Sequence, residues 1–223
     1  MLLRVLTFLF ICHFAAAQEK TMSIFTPPGD PSLCSVAEKV VIEEITSEEI
    51  QGIIEQMYAI ARGERGDTEK RVMVGLAAPQ IGISKRIILV DLGVQATRRE
   101  LGNLEVFINP EIVWYSEDQI EEREGCYSVD RHICGIVRRS AKIKIQAFDR
   151  KGNRLEKELS GFTARIFQHE TDHLNGIRFP DRVGPQGRLH WVKEDQYPEY
   201  RDNWETWPVS CPWKVWIDMK AGK

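Results

Sequence analysis

The sequence predicts an α+β fold. Three observations lead there: two segments carry apolar residues at helical spacing, several short runs are β-branched or alternate polar with apolar, and the two kinds do not alternate as βαβ units would. At 223 residues, 43% hydrophobic and 28% charged, the chain fits one domain with extensions or two small ones. The same composition excludes collagen-like, low-complexity and wholly disordered readings. Its 30 Lys and Arg against 33 Asp and Glu leave a net charge of −3 and no basic stripe, which excludes a direct nucleic-acid partner held by clustered cations.

Residues 1–17 carry one positive charge at Arg4, an apolar run from Val5 to Phe14, and Ala15, Ala16 and Ala17 before Gln18. This reads as a signal peptide with an A-x-A site, or as a mis-assigned leader with translation starting at Met22. No segment reaches the roughly 20 apolar residues of a spanning helix, so no transmembrane segment is expected. Pro27, Pro28, Gly29, Asp30 and Pro31 make a turn-rich entry. The stretch from Thr46 to Glu49 matches a capping box, and Ile50, Ile53, Ile54, Met57 and Ala61 follow at helical spacing, which predicts a helix over 47–62.

Residues 63–71 are charged and glycine-bearing, hence a loop. The β-branched runs 86–90 and 106–108 predict strands, with a polar segment containing Gly93 and Gly102 between them. Residues 142–148 alternate polar and apolar as a half-buried strand does, and 149–153 make the turn after it. A second helix is expected over 163–174, stopped by Asn175 and Gly176.

The tail holds Trp191, Trp204, Trp207, Trp213 and Trp216, five of the six Trp in the chain. Burial against the rest of the domain is the expected use, with a carbohydrate or partner surface as the alternative. Of five Cys, Cys12 lies in the leader. Cys34, Cys126, Cys134 and Cys211 would permit two disulfides after export, yet their spacing makes no dense framework, and each reads by default as a small buried hydrophobe.

Chemistry concentrates in Gln168, His169, Glu170, Thr171, Asp172 and His173, an H-E-x-x-H pattern on the second predicted helix. At 3.6 residues per turn the two imidazoles share a face and can reach one metal ion, with Glu170 beside it as a proton acceptor for water. The bland alternative is two surface histidines. A catalytic centre needs a third protein ligand. His190, the only histidine beyond His173, is one candidate; Cys126, flanked by Glu124, Gly125, Tyr127 and Ser128, is the other. Asp172 either orients an imidazole or sits in solvent.

Three segments taken together carry a resemblance. Residues 74–80 (Val74, Gly75, Leu76, Ala77, Ala78, Pro79, Gln80), 124–128 and 168–174 resemble, in order, the three motifs of peptide deformylase. The likeness extends from about Gly29 to Phe179 and includes Phe107, Ile108, Asn109 and Pro110. The resemblance implies mainly antiparallel sheets around a central helix carrying H-E-x-x-H. It implies that Cys126, His169 and His173 hold Fe2+, with Zn2+ or Ni2+ as substitutes. Glu170 would be general base and then general acid. The Gln80 side-chain amide and the Tyr127 backbone N–H would stabilise an oxyanion, and Gly75 would pair with an extended peptide. Val74, Ile166 and Phe167 would wall a pocket for a methionine side chain. The products would be formate and a free N-terminal methionine.

Three positions depart from the family pattern: Met73 replaces a leading glycine, Tyr127 a common leucine, and Ile133 an arginine, for which Arg138 or Arg139 would be a nearby basic group or a solvated strand-end charge. The resulting reading has a leader over 1–17, a catalytic domain over 22–183 and a Trp-rich extension packed on it over 184–223. Its partners are N-formylmethionyl nascent peptides, with the ribosome nearby. The compartment is cytoplasmic if the chain starts at Met22, and exported or periplasmic if the leader is real. Two other classes compete: a zinc metallopeptidase using His169, His173 and a different ligand, and an inactive binding module that kept the fold.

Overall fold

A computed structural model describes residues 24–64, 73–94 and 101–223; the leader and most of the expected 63–71 loop lie outside these. Eight strands form two antiparallel sheets. β1 (Gly75–Ala77), β2 (Ile87–Asp91), β3 (Leu104–Tyr115), β6 (Lys142–Phe148) and β7 (Arg154–Ser160) lie in the order β1-β2-β3-β6-β7, with β1 at one edge. β4 (Gln119–Glu124), β5 (Ile133–Ser140) and β8 (Leu189–Trp191) make the second sheet, with β5 in the middle.

The larger sheet is covered on both faces. Helix α1 (Glu48–Ala61) starts where Ser47 Oγ accepts the Ile50 N–H, and packs Ile54, Met57 and Ile60 against Ile87, Leu89, Val106 and Ile108. Helix α2 (Gly161–Leu174) packs Ala164, Phe167 and Leu174 against Ala77, Ile88, Val90 and Phe107 on the other face. Alternate residues of β2 therefore face opposite helices, which is why its sequence is continuously apolar. α2 also reaches the smaller sheet: Gln168 Nε2 donates to the Ser140 carbonyl at 3.0 Å and Arg165 Nη1 to that of Val137 at 3.0 Å.

β3 is much longer than the 106–108 run predicts. Asn109, at φ +50°, and Pro110 form an irregularity in the β3–β6 register, after which pairing resumes at Glu111 opposite Gln146. An Asn-Pro pair reads locally as a strand stop; here the chain bulges and continues. Asn109 is held at this φ by its side chain, which accepts from Val40 N and donates to Val40 O.

Helix α3 (Phe179–Val183) closes the domain, and the tail contributes β8, opposite Ile133, Cys134 and Gly135 of β5, and helices α4 (Tyr197–Asn203) and α5 (Trp213–Lys220). Trp216 is fully buried among Val129, Ile133, Phe179 and Leu189, with its Nε1 donating to Asp181 Oδ1 at 3.0 Å. Arg178, also fully buried, stacks its guanidinium 4.4 Å from the Trp216 ring centre and donates to the Ser128 carbonyl at 3.2 Å. Cys34, Cys126, Cys134 and Cys211 are all free thiols. Among the described residues no helix is long and apolar enough to cross a membrane.

Candidate metal centre

One helical turn separates His169 from His173 on α2, and their rings meet edge to face at 5.0 Å between centres. Cys126 comes from the turn after β4 and brings Sγ to 3.2 Å from His173 Nε2. One ligand atom from each of the three residues lies within 4.8 Å of the others. His169 Nδ1 is 2.9 Å from Glu124 Oε2, which leaves Nε2 for the centre. His190, the other candidate ligand, is elsewhere: it is buried on β8 with Nδ1 3.1 Å from the Tyr200 hydroxyl.

The donor set fits a divalent cation. Sγ receives the Gln80 Nε2 and Ser128 N hydrogens, each at 3.4 Å, as a thiolate would. Burial alone would lower His169, but its contacts with Cys126 and Glu124 pull it well above its ordinary value. Burial, reinforced by the His169 charge, pushes His173 well below its own. Two imidazoles and a thiol crowded out of water in this way suit a soft-to-borderline ion that satisfies all three.

Glu170 lies beside the three, 5% exposed, with Oε2 buried and without a protein partner. Burial pushes its carboxyl up to about 7, the range in which a carboxylate can both accept and return a proton near neutral pH. Gln80 caps a short 3-10 turn, its Oε1 accepting the Ala77 N–H at 2.7 Å, so that Nε2 is aimed at Cys126. Gly75 is confined: a Cβ there would stand 2.4 Å from Glu170 Oε1 and 2.7 Å from Ile166 Cγ2.

A cavity of about 300 Å³ opens from this centre, lined by Val74, Gly75, Gln80, Phe162, Ile166 and Glu170 among others. Val74 and Ile166, expected in a methionine pocket, both line this cavity. Phe167 does not: it is fully buried on the opposite side of α2, edge to face with Phe107 at 5.2 Å. One residue is about 100° around a helix, so Phe167 cannot share the face of Ile166, and Phe162 takes the place in the wall. Tyr127 is 40% exposed and stacks flat on Phe25 at 4.8 Å. Met73 is buried in the α1 core and also lines the cavity.

A buried charge network supports His169, and the sequence reading missed it. Glu124 accepts from Arg139 Nε at 2.6 Å and Nη2 at 2.9 Å, and from Arg165 Nη1 at 2.6 Å, while contacting His169. Burial works to raise the Glu124 carboxyl; Arg139, with His169, outweighs it and holds the group well below the usual carboxylate range. Arg139 Nη1 also donates to Asp172 Oδ2 at 2.8 Å, and Asp172 accepts from Arg182 as well. Arg139 is therefore a buried brace and not a solvated strand-end charge; Arg138 is the exposed one, paired with Glu121. Asp172 neither orients an imidazole directly nor sits in solvent. Ile133 is fully buried in β5 opposite Trp191.

The family model for polypeptide deformylase matches residues 22–188. The peptide deformylase of Shouchella clausii is 41% identical over 171 residues, which cover 73% of this chain and 90% of that protein. That of Treponema pallidum (strain Nichols) is 37% identical over 160 residues, 72% of this chain and 87% of that one. A crystal structure of Acinetobacter baumannii class I type b peptide deformylase with Met-Ala-Ser bound superposes with a TM-score of 0.63, at 34% identity over 73% of this chain and 100% of that one.

Proposed function

Because this chain belongs to the peptide deformylase family, we propose that it is a metal-dependent hydrolase that removes the formyl group from the N-terminal methionine of newly made polypeptides and releases formate. The observation that carries this reading is the meeting of Cys126, His169 and His173 within 4.8 Å, at the inner end of a cavity that also holds the unpartnered Glu170 carboxylate oxygen.

A divalent cation held by Cys126, His169 and His173 would supply Lewis-acid chemistry and make a water nucleophilic near neutral pH. Glu170 accepts that water's proton at Oε2 and delivers it to the departing amine, acting first as base and then as acid. The Gln80 amide and the Tyr127 backbone N–H donate to the formyl oxygen as its negative charge develops. β1 is an edge strand, so the backbone at Gly75 is placed to pair with an extended peptide by strand addition. The methionine side chain fills the apolar wall of Val74, Phe162 and Ile166.

We assign Fe2+ as the working ion, with Zn2+ or Ni2+ as substitutes, on the family resemblance and on the thiolate-imidazole donor set. The reaction belongs to protein biosynthesis, where nascent chains leave the ribosome. Because the proposed reaction acts on nascent chains, we place the product in the cytoplasm.

Two substitutions test the site. Cys126→Ser is expected to lose most of its metal, measured as ion bound per chain, together with formate release; a metallopeptidase ligated by His190 would keep both metal and activity. Gly75→Ala is expected to cut formate release by about 100-fold or more, since its Cβ displaces Glu170 or Ile166 from positions set to within an ångström. Metal content should stay near the parent value, because Gly75 touches no ligand atom in the set.

A further inference from the structure

The family match ends at residue 188, yet the segment beyond it wraps the back of the turn that carries Cys126. Val192 N donates to the His132 carbonyl at 2.8 Å, β8 pairs with Ile133, Cys134 and Gly135, and the Tyr197 hydroxyl donates to the Arg131 carbonyl. Five consecutive residues, 131–135, of that turn and the strand after it are thus held by main-chain or hydroxyl contacts from the extension.

Tyr197 has a second role in this packing. It lines two hollows, one of about 210 Å³ shared with Cys126 and Tyr127, and one of about 130 Å³ shared with Glu124 and Cys134. Gly125 lines both as well. Tyr197 and Gly125, the residue between Glu124 and Cys126, thus line both hollows together.

We propose that Tyr197 is a positioning residue for the deformylation site: from the C-terminal extension it braces the turn that presents Cys126 Sγ and the Tyr127 N–H. The inference rests on the function proposed above and adds an element that the family match does not cover. The physical basis is the sensitivity of both groups to small displacement. A ligand or oxyanion donor that drifts by about 1 Å loses on the order of 100-fold in rate, and loss of a group supporting a metal ligand costs about 10–100-fold in metal affinity.

Tyr197→Ala removes both the hydroxyl and the ring that lines the two hollows. Tyr197→Phe removes the hydroxyl alone and keeps the wall. Each is compared with the parent full-length protein loaded with Zn2+ or Ni2+, by three readouts: rate of metal loss to a chelator at 20 °C, melting temperature, and kcat and KM for formyl-Met-Ala-Ser. The expected result for Tyr197→Ala is at least a 10-fold faster metal loss and a 10-fold or larger fall in kcat, with KM changed less than 3-fold. Tyr197→Phe is expected to stay folded and to show a 2- to 5-fold change in the same two quantities. Lower melting temperatures with parental metal retention and kcat in both variants would overturn the proposal and leave Tyr197 a structural residue. Absence of formate release from the metal-loaded parent would instead defeat the proposed function, and the chelator readout would still decide whether Tyr197 braces the centre.

Discussion

Glu170→Gln is expected to lower formate release from formyl-Met-Ala-Ser by about 100- to 10,000-fold while leaving the metal content of the protein unchanged. The size follows from the proposed role: Glu170 would take a proton from water and return it to the amine, and an amide of the same shape can do neither. Unchanged metal content follows from the geometry, because the proposed ligand set is Cys126, His169 and His173, and Glu170 stands beside it. Quantifying formate and bound metal on one preparation checks both halves. Parallel loss of metal and activity would move Glu170 from proton transfer to ligation.

The largest effect on stability is expected at a residue that touches no substrate. Arg139 is 5% exposed and joins Glu124 to Asp172, so Arg139→Met leaves two buried carboxylates short of a partner. Breaking such a network costs about 3–5 kcal/mol, or roughly 10 °C in melting temperature for a chain of this size. The pH dependence has a definite sign. The folded Glu124 carboxyl lies below its ordinary value of 4.5, so its ionised form stabilises the fold above that pH and the contribution drains away as pH falls below it. Thermal melts from pH 7 down to pH 3 are expected to show a steep acid loss in the parent protein and a shallower one in Arg139→Met. Equal slopes would show that Arg139 does not hold Glu124 ionised. Because Glu124 also contacts His169, the variant is expected to release metal faster than the parent.

The two histidines of the candidate metal set were legible because their signals are local in sequence, whereas Cys126 was chosen over His190 only through the family resemblance. His169 and His173 share a helix face at a spacing of four, and a helix over 163–174 follows from periodicity alone. Helix α1, strands β2 and β6 and the turn after β6 were equally plain, since one pattern decides each. The brace was not legible, because Glu124, Arg139 and Asp172 come from β4, β5 and α2, and only the tertiary fold brings them together. Charged side chains in a strand such as Arg138 and Arg139 read alike; the pleat sends one outward to Glu121 and the other inward to Glu124.

Phe167 shows the limit of reading neighbours as a unit. Adjacent to Ile166 in sequence, it turns by one helical step into the Phe107 core and leaves the cavity wall to Phe162. The tail was read as aromatic burial, which Trp216 illustrates. No pattern in its sequence marks β8 as a third strand of the smaller sheet, because three residues are too few to show a period.

The central claim is the reaction itself, and formate release from formyl-Met-Ala-Ser tests it most directly. The protein would be purified without oxygen, loaded with Fe2+, and assayed beside its Glu170→Ala variant and an air-exposed sample. The account predicts one formate for each Met-Ala-Ser produced by the parent, almost none from Glu170→Ala, and a decline on exposure to air. Release that survives air would keep the reaction and replace Fe2+ by Zn2+ or Ni2+. No formate from metal-loaded parent protein, or release indifferent to Glu170→Ala, would contradict the account.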